Sequence, residues 1–351
     1  MIEKIHGRSA ILSGVHVLDG GLASELEYRG ARIDTPLWSA QVLEDEPEKL
    51  RQVHRAYIEA GAQCIATCSY QVSRMGYVEV GLTAEAADAA DAALLRSVNI
   101  ARSVVAEFPD RRVLVAGSLG PYGAALHNGG EYTGNYECSY DDLVRFHRER
   151  IEVFARASVV NEDFSPEDPN PTVEGAGSSP YKGTAFRKKG ALAPDLLAFE
   201  TFPSLEEVRA VGEALAPWPE SQAWFSFSCR DETHVSHGER VTECAALIAS
   251  FPQTIAIGVN CVPPKWIPSL IAELRAASDK PVMVYPNSGE GWDAANRCWI
   301  GVSDPVEFGA QAKEWFAAGA QIIGGCCRTR PEHIREVART AKELFAAKVK
   351  G

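Results

Sequence analysis

The chain alternates short, β-rich apolar runs with longer stretches of helical period. The runs are Val15–Leu18, Cys64–Thr67, Val113–Ala116, Leu196–Phe199, Trp224–Phe227, Ile255–Val259, Val282–Tyr285 and Gln321–Ile323. Near-continuous apolar strands are what a parallel sheet buried on both faces requires. Between the runs, Pro47–Ala60 sets Leu50, Val53, Tyr57 and Ile58 on one stripe. Ala84–Ala106 is alanine-rich and free of proline, and Asp141–Ala157 reads as a further helix. Pro331–Phe345 opens with a proline at a plausible first-turn position. Eight strand–helix units of this kind predict an α/β fold, a (β/α)8 TIM-type barrel.

Each run ends in polar or reactive residues. Asp19-Gly20-Gly21, Cys68-Ser69-Tyr70, Glu200-Thr201, Ser228-Cys229, Asn260-Cys261 and Gly324-Gly325-Cys326-Cys327 all stand just after a predicted strand. In a barrel the strand C-terminal ends share one rim, and that rim carries the active site. Asp19, Glu200, Cys261 and Cys326 are therefore expected to meet around one mouth. One stretch breaks the rhythm. Residues Val160–Gly190 are rich in proline, glycine, serine and charge. They are expected to be a flexible insertion before the fourth strand of a single domain, 1–351, on the rim away from the chemistry.

Composition narrows the function. With 46% hydrophobic and 23% charged residues the chain is globular, and a net charge of −12 disfavours nucleic acid and anionic membranes as partners. There is no apolar run of membrane-spanning length and no signal-peptide pattern at the N-terminus, so a cytoplasmic, reducing setting is expected. The nine cysteines are then free thiols or metal ligands. The expected partners are small-molecule substrates, for a monomer or small homo-oligomer.

Cys326-Cys327 follows two glycines that allow a sharp turn, so both thiolates can converge on one ion, with Cys261 as a third. Three thiolates leave one position of tetrahedral zinc open, as catalytic zinc requires. Spacing alone leaves two alternatives standing: buried apolar cysteines, or a vicinal disulfide. Cys64 and Cys244 read as core residues, and Cys68 and Cys229 as packing near the rim. Asp19 and Glu200 could hold an ammonium group. Their alternatives are a helix N-cap for Asp19, a surface ion pair for Glu200, or paired acids for glycoside chemistry. His234 and His237 read as exposed, and the glycine-rich stretches 117–123 and 129–134 fit no nucleotide-binding motif.

Several motifs in order resemble the homocysteine S-methyltransferase family over nearly the whole chain. They are Leu18-Asp-Gly-Gly21, Glu25-Leu-Glu-Tyr-Arg-Gly30, Pro36-Leu-Trp-Ser-Ala40, Ser69-Tyr-Gln71, Gly117-Ser-Leu-Gly-Pro121, Glu131-Tyr-Thr-Gly134, Phe199-Glu-Thr201, Gly258-Val-Asn-Cys261, Tyr285-Pro-Asn-Ser-Gly-Glu290 and Gly324-Gly-Cys-Cys-Arg328. The resemblance implies a homocysteine-binding (β/α)8 barrel with Zn2+ on Cys261, Cys326 and Cys327. It implies that Asp19 and Glu200 help hold the homocysteine amino group, and that Asn260 and Tyr285 shape the pocket. The Tyr-Thr-Gly-Asn-Tyr and Tyr-Pro-Asn-Ser-Gly-Glu stretches are similar to the branch that uses S-methylmethionine. The expected reaction is methyl transfer from a sulfonium, S-methylmethionine or S-adenosylmethionine, to homocysteine, giving methionine. Trp38, Tyr70 or Tyr285 could face the sulfonium. The alternatives are a betaine or selenocysteine methyltransferase, a catalytically silent zinc- or thiol-sensing barrel, and a metal-free hydrolase using Asp19 and Glu200.

Overall fold

The computed structural model describes residues 9–33, 39–82, 85–160, 193–293, 298–301 and 303–346. Seven strands form one parallel sheet: β1 (Cys64–Ala66), β2 (Leu114–Leu119), β3 (Leu196–Phe202), β4 (Ala223–Phe227), β5 (Thr254–Asn260), β6 (Val282–Tyr285) and β9 (Ile322–Ile323). They lie in chain order, β1-β2-β3-β4-β5-β6-β9. Each predicted run from the second to the eighth overlaps one of these strands. The first predicted run is present as two isolated parallel bridges: Val17 pairs with Ile323 on one edge of the sheet and Leu18 with Cys64 on the other. Backbone bonds Leu18 N–H to Ile323 O (2.9 Å) and Asp19 N–H to Cys64 O (3.1 Å) hold it there. The sheet therefore curls until one segment touches both its edges.

Side chains alternate across each strand. Leu18, Cys64, Ala116, Ala198, Trp224, Ala256, Met283 and Ile322 pack together as one buried apolar cluster. Their neighbours Val17, Ile65, Val115, Leu197, Phe225, Ile257, Val284 and Ile323 belong to a second cluster. Helix residues fill that second cluster. Leu50, Val53, Tyr57 and Ile58 of the helix Pro47–Ala60 are all buried in it, as their stripe predicts. With both faces covered, alternation of apolar with polar residues is absent, and the strands read as continuous apolar runs.

The helices Ala86–Val105, Tyr140–Val160 and Pro331–Ala346 match the predicted ones to within a few residues. A small antiparallel pair, β7 (Gly291–Asp293) with β8 (Cys298–Ile300), was not expected from the sequence. It interrupts the connection between β6 and the helix Pro305–Ala318. The predicted insertion Val160–Gly190 lies outside the described residues except for Val160, and so does Trp38.

Candidate active site

The strand period that builds the interior also builds the site. Ser118, Glu200, Ser226 and Tyr285 stand two positions beyond the inner residues Ala116, Ala198, Trp224 and Met283, so they share the inner face one layer further toward the strand C-termini. Asn260, four beyond Ala256, joins them. Here the inner face turns from apolar to hydrogen-bonding.

Asn260 is 2% exposed and ties three strands together. Its Oδ1 accepts from the Thr201 amide (2.8 Å) and from the Ser226 hydroxyl (2.8 Å). Its Nδ2 donates to Thr201 Oγ1 (2.8 Å) and to Cys326 Sγ (3.8 Å). The Tyr285 hydroxyl bonds the Ser226 hydroxyl and accepts from Trp224 Nε1 (3.2 Å). The Ser118 hydroxyl donates to Glu200, and the Tyr285 hydroxyl stands near it. Burial outweighs these contacts and pushes the Glu200 carboxyl up to about 7. Asp19 accepts from the Ala66 amide through Oδ2 (2.8 Å). Burial raises its carboxyl well above the usual range, with the Glu200 charge adding to the effect. Asp19 is thus neither a helix cap nor solvated, and Glu200 makes no surface ion pair among the described residues.

The three sequence-predicted cysteines converge. Their sulfurs all lie within 4.8 Å of one another, and Cys261 Sγ is 3.3 Å from Cys327 Sγ. Among the described residues they are the only such group of metal-ligating side chains. Two left-handed backbone positions make the convergence possible. Cys261, at φ 55°, ends β5, and Arg328, at φ 65°, closes the Cys326-Cys327 turn. The turn is held by Thr329, whose amide and hydroxyl both donate to Cys326 O (3.1 and 2.7 Å). A Cβ on Gly21 would stand 2.4 Å from Cys326 O, so only glycine lets the Asp19 loop lie against this turn. Thr201, beside Glu200, also has a left-handed φ of 64°. Such strain in β-branched or functional residues persists only where surrounding bonds hold it, and it gathers at working sites.

Hydrogen bonds from Cys326 and Cys327 hold the Cys261 thiol well below its ordinary range, while their own are pushed up. Tetrahedral Zn–S bonds of ~2.3 Å set ligand sulfurs ~3.8 Å apart; here one pair stands at 3.3 Å and all three lie within 4.8 Å. The residues fit a thiophilic metal with a fourth position left to another ligand.

Tyr132 reaches the trio from outside the strands. Its hydroxyl lies 3.1 Å from Cys261 Sγ, and the Cys261 charge raises its own pKa well above the usual value, so it stays a donor. Ser118, Thr201, Ser226, Glu131 and Tyr132 carried no assigned role in the sequence. Extending the period-two pattern of the strands by one layer finds Ser118 and Ser226. No periodic signal marks Glu131 or Tyr132, which come from a loop. The other cysteines stay apart: Cys64, Cys68 and Cys244 are buried, and Cys229 packs against the core. His234 is half-buried and bonded to Asp231 (3.0 Å), not exposed as expected, while His237 is exposed.

A thiol trio at the C-terminal ends of parallel strands, flanked by the buried Asp19 and the partly buried Glu200, is the frame in which the comparisons fall. A model of the homocysteine S-methyltransferase family matches residues 16–165 and 175–341, and the chain belongs to that family. It is 38% identical over 340 residues to the homocysteine S-methyltransferase YbgG of Bacillus subtilis, covering 93% of this chain and 95% of the relative. It is also 38% identical to the homocysteine S-methyltransferase of Escherichia coli over 325 residues, covering 91% and 92%. Among solved structures, the metallated form of the Escherichia coli homocysteine methyltransferase MmuM superposes with a TM-score of 0.75 at 34% identity. That match covers 94% of this chain and 98% of the other.

Proposed function

We propose that this protein is a zinc-dependent methyltransferase that moves a methyl group from a sulfonium donor to the sulfur of L-homocysteine, giving methionine. The observation that carries the reading is the convergence of Cys261, Cys326 and Cys327 beside Asp19 and Glu200, in a chain of this family. The sheet, with the Val17–Leu18 segment as an eighth stave, is read as a (β/α)8 barrel. The stretch 160–190 is read as an insertion within one domain, supported by the break in the family match between residues 165 and 175.

Cys261, Cys326 and Cys327 are the ligands for zinc. When bound, zinc lowers the pKa of a substrate thiol, so that homocysteine reacts as its thiolate at neutral pH. Asp19 and Glu200 take the ammonium group. Buried without a cation, both are driven toward the neutral acid; a substrate ammonium restores their charge and pairs with it. Asn260 fixes Cys326 and the Thr201 backbone beside Glu200, which keeps the sulfur and amino subsites at a set separation. Tyr285 walls the pocket beside Glu200. In the transfer the thiolate lone pair forms the new S–CH3 bond while the sulfonium S–CH3 bond breaks. Its electron pair stays on the departing neutral thioether, and the thiol proton is lost to solvent. With S-methylmethionine both products are methionine. No helix of the described residues is long and apolar enough to cross a membrane, and we place the enzyme in the cytoplasm.

The test is methionine formation from homocysteine with S-methylmethionine, S-adenosylmethionine or betaine, on zinc-loaded and chelator-stripped enzyme. Zinc-restored turnover with a sulfonium is expected. Turnover with betaine alone would move the protein to the betaine-using class, and activity surviving loss of the three cysteines would leave the two carboxyls as a metal-free site.

A further inference from the structure

The thiol trio is roofed by the loop after β2. Its single 3-10 turn, Gly130–Tyr132, delivers the Tyr132 hydroxyl to Cys261. The residue before it, Glu131, has a buried Oε2 with no hydrogen-bond partner among the described residues. It forms no ion pair with a described lysine or arginine. A buried carboxylate oxygen without a donor is costly, and such an atom in a folded protein needs an explanation.

The placement of Glu131 is built in. Its carbonyl accepts from Ser228 Oγ at the end of β4 (2.8 Å), and the Gly130 amide is capped by Asn128 Oδ1 (2.9 Å). A Cβ on Gly123 would stand 2.4 Å from the Gly130 carbonyl carbon, so the two limbs of the loop close on each other. The far limb is fixed by Tyr136, whose hydroxyl donates to Glu207 (2.9 Å), and Glu207 is itself buried against His147 (3.0 Å). Around the carboxyl stand groups that feel its charge: Cys327 and the half-buried ring of Tyr70, with Cys261 acting on it in return. The neighbours so named are cysteine thiols and an aromatic hydroxyl. Among the described residues no cation stands there, and the subsite offers a carboxyl and aromatic surface to one.

We propose that Glu131 is the counter-charge for the sulfonium of the methyl donor, with Tyr70 and Tyr132 as the aromatic walls beside it. This rests on the reading that the donor is a sulfonium. Asp19 and Glu200 already serve the homocysteine ammonium, so Glu131 is left to the second substrate. The attraction belongs to the ground state. As the methyl group leaves, the sulfonium becomes a neutral thioether, and the pairing fades. Glu131 therefore contributes to donor binding and to release of the uncharged product, so its loss falls on KM more than on kcat.

The experiment compares wild-type and Glu131→Gln enzyme, both zinc-loaded and checked for equal zinc content and thermal midpoint. Expected are a rise of about tenfold or more in KM for S-methylmethionine, an unchanged KM for homocysteine, and loss of competitive inhibition by trimethylsulfonium. Glu131→Asp, which keeps the charge, should recover part of the donor KM. Wild-type turnover with a sulfonium, combined with unaltered donor KM and trimethylsulfonium inhibition in Glu131→Gln, overturns the role of Glu131 alone. Equal loss with respect to both substrates also overturns it, since that marks a structural role. Failure of the wild-type enzyme to use any sulfonium overturns the donor reading, and this proposal with it.

Discussion

Asn260→Ala is the sharpest test of how the site is held. The asparagine side chain makes four hydrogen bonds, to the Thr201 amide, Thr201 Oγ1, Ser226 Oγ and Cys326 Sγ. Truncation leaves the Thr201 amide without a partner in a buried setting, which costs ~1–3 kcal/mol. Ser226 loses less, because its hydroxyl keeps Tyr285. Thr201 sits at φ 64°, a conformation that itself costs ~1–3 kcal/mol in a residue of this kind, and Asn260 is what holds it there. The expected loss of unfolding free energy is therefore about 2–4 kcal/mol, partly offset by relaxation of Thr201.

Urea denaturation of the metal-free protein measures it. A double-mutant cycle adds the discriminating arm. Glycine accepts a left-handed φ without strain, so in a Thr201→Gly background Asn260→Ala should cost less, with a coupling of about 1 kcal/mol or more. A loss below ~0.5 kcal/mol in the single variant, or full additivity in the cycle, would refute the claim that Asn260 holds the strained Glu200-Thr201 backbone.

Three further outcomes follow from the same geometry. Ser in place of Cys261, Cys326 or Cys327 should each abolish stoichiometric zinc by equilibrium dialysis, whereas Cys68→Ser should keep it; retention in any of the first three breaks the trio assignment. Methionine, which has no thiol to ionise, should release a proton on binding at pH 6, because its ammonium must find Glu200 ionised while burial holds that carboxyl at about 7; calorimetry in buffers of different ionisation enthalpy reads this, and Glu200→Gln should lose it. His54, with both ring nitrogens buried and without a hydrogen-bond partner among the described residues, is pulled down to about 4 by burial. Its folded pKa lies below its unfolded one, so its contribution is full above about pH 6.5 and is lost as pH falls toward 4, by on the order of 3 kcal/mol at the limit. His54→Leu should flatten that acid limb in a stability–pH profile, and an unchanged limb would assign it to other groups such as His147, held at about 4 chiefly by burial.

Much of this architecture was legible because buried parallel strands leave a strong mark. From the second run to the eighth, each apolar run overlaps a strand, and the clusters ending in Glu200, Asn260-Cys261 and Cys326-Cys327 come together, while Cys68 and Cys229 turn into the packing. The first run is the exception. Val15–Leu18 pairs only through Val17 and Leu18, and apolar content cannot tell two bridges from a full ladder. The thiol trio was legible as residue types at strand ends. The left-handed turns at Cys261 and Arg328 that aim the sulfurs were not, because neither residue type announces a positive φ. Ser226 was hidden inside the apolar run Trp224–Phe227 as a small residue, and Ser118 stood in the glycine-rich stretch just after the run Val113–Ala116. Only knowledge of which face each strand turns inward separates them from packing. The antiparallel pair β7–β8 rests on short segments with no clean alternation.

The charge arrangement gives these pieces a common logic. Asp19, Glu131 and Glu200 are all raised by burial, and Cys261 is held toward its thiolate. None of the four is ion-paired with a lysine or arginine among the described residues. A protein that needed only stability would supply such partners or replace the acids with apolar groups of similar volume. A pocket of this kind is instead a set of preformed demands for positive charge at separate points: one at the sulfurs, one at Asp19 and Glu200, one at Glu131. A metal ion, an amino acid ammonium and a cationic donor meet them one each. Each arrival removes a desolvation cost that the fold already carries, so binding any one should ease ionisation of its neighbours and tighten the next. On this logic, zinc loading lowers the donor and homocysteine dissociation constants together, and zinc-free enzyme that binds both as tightly as the loaded form would show that the three demands are independent.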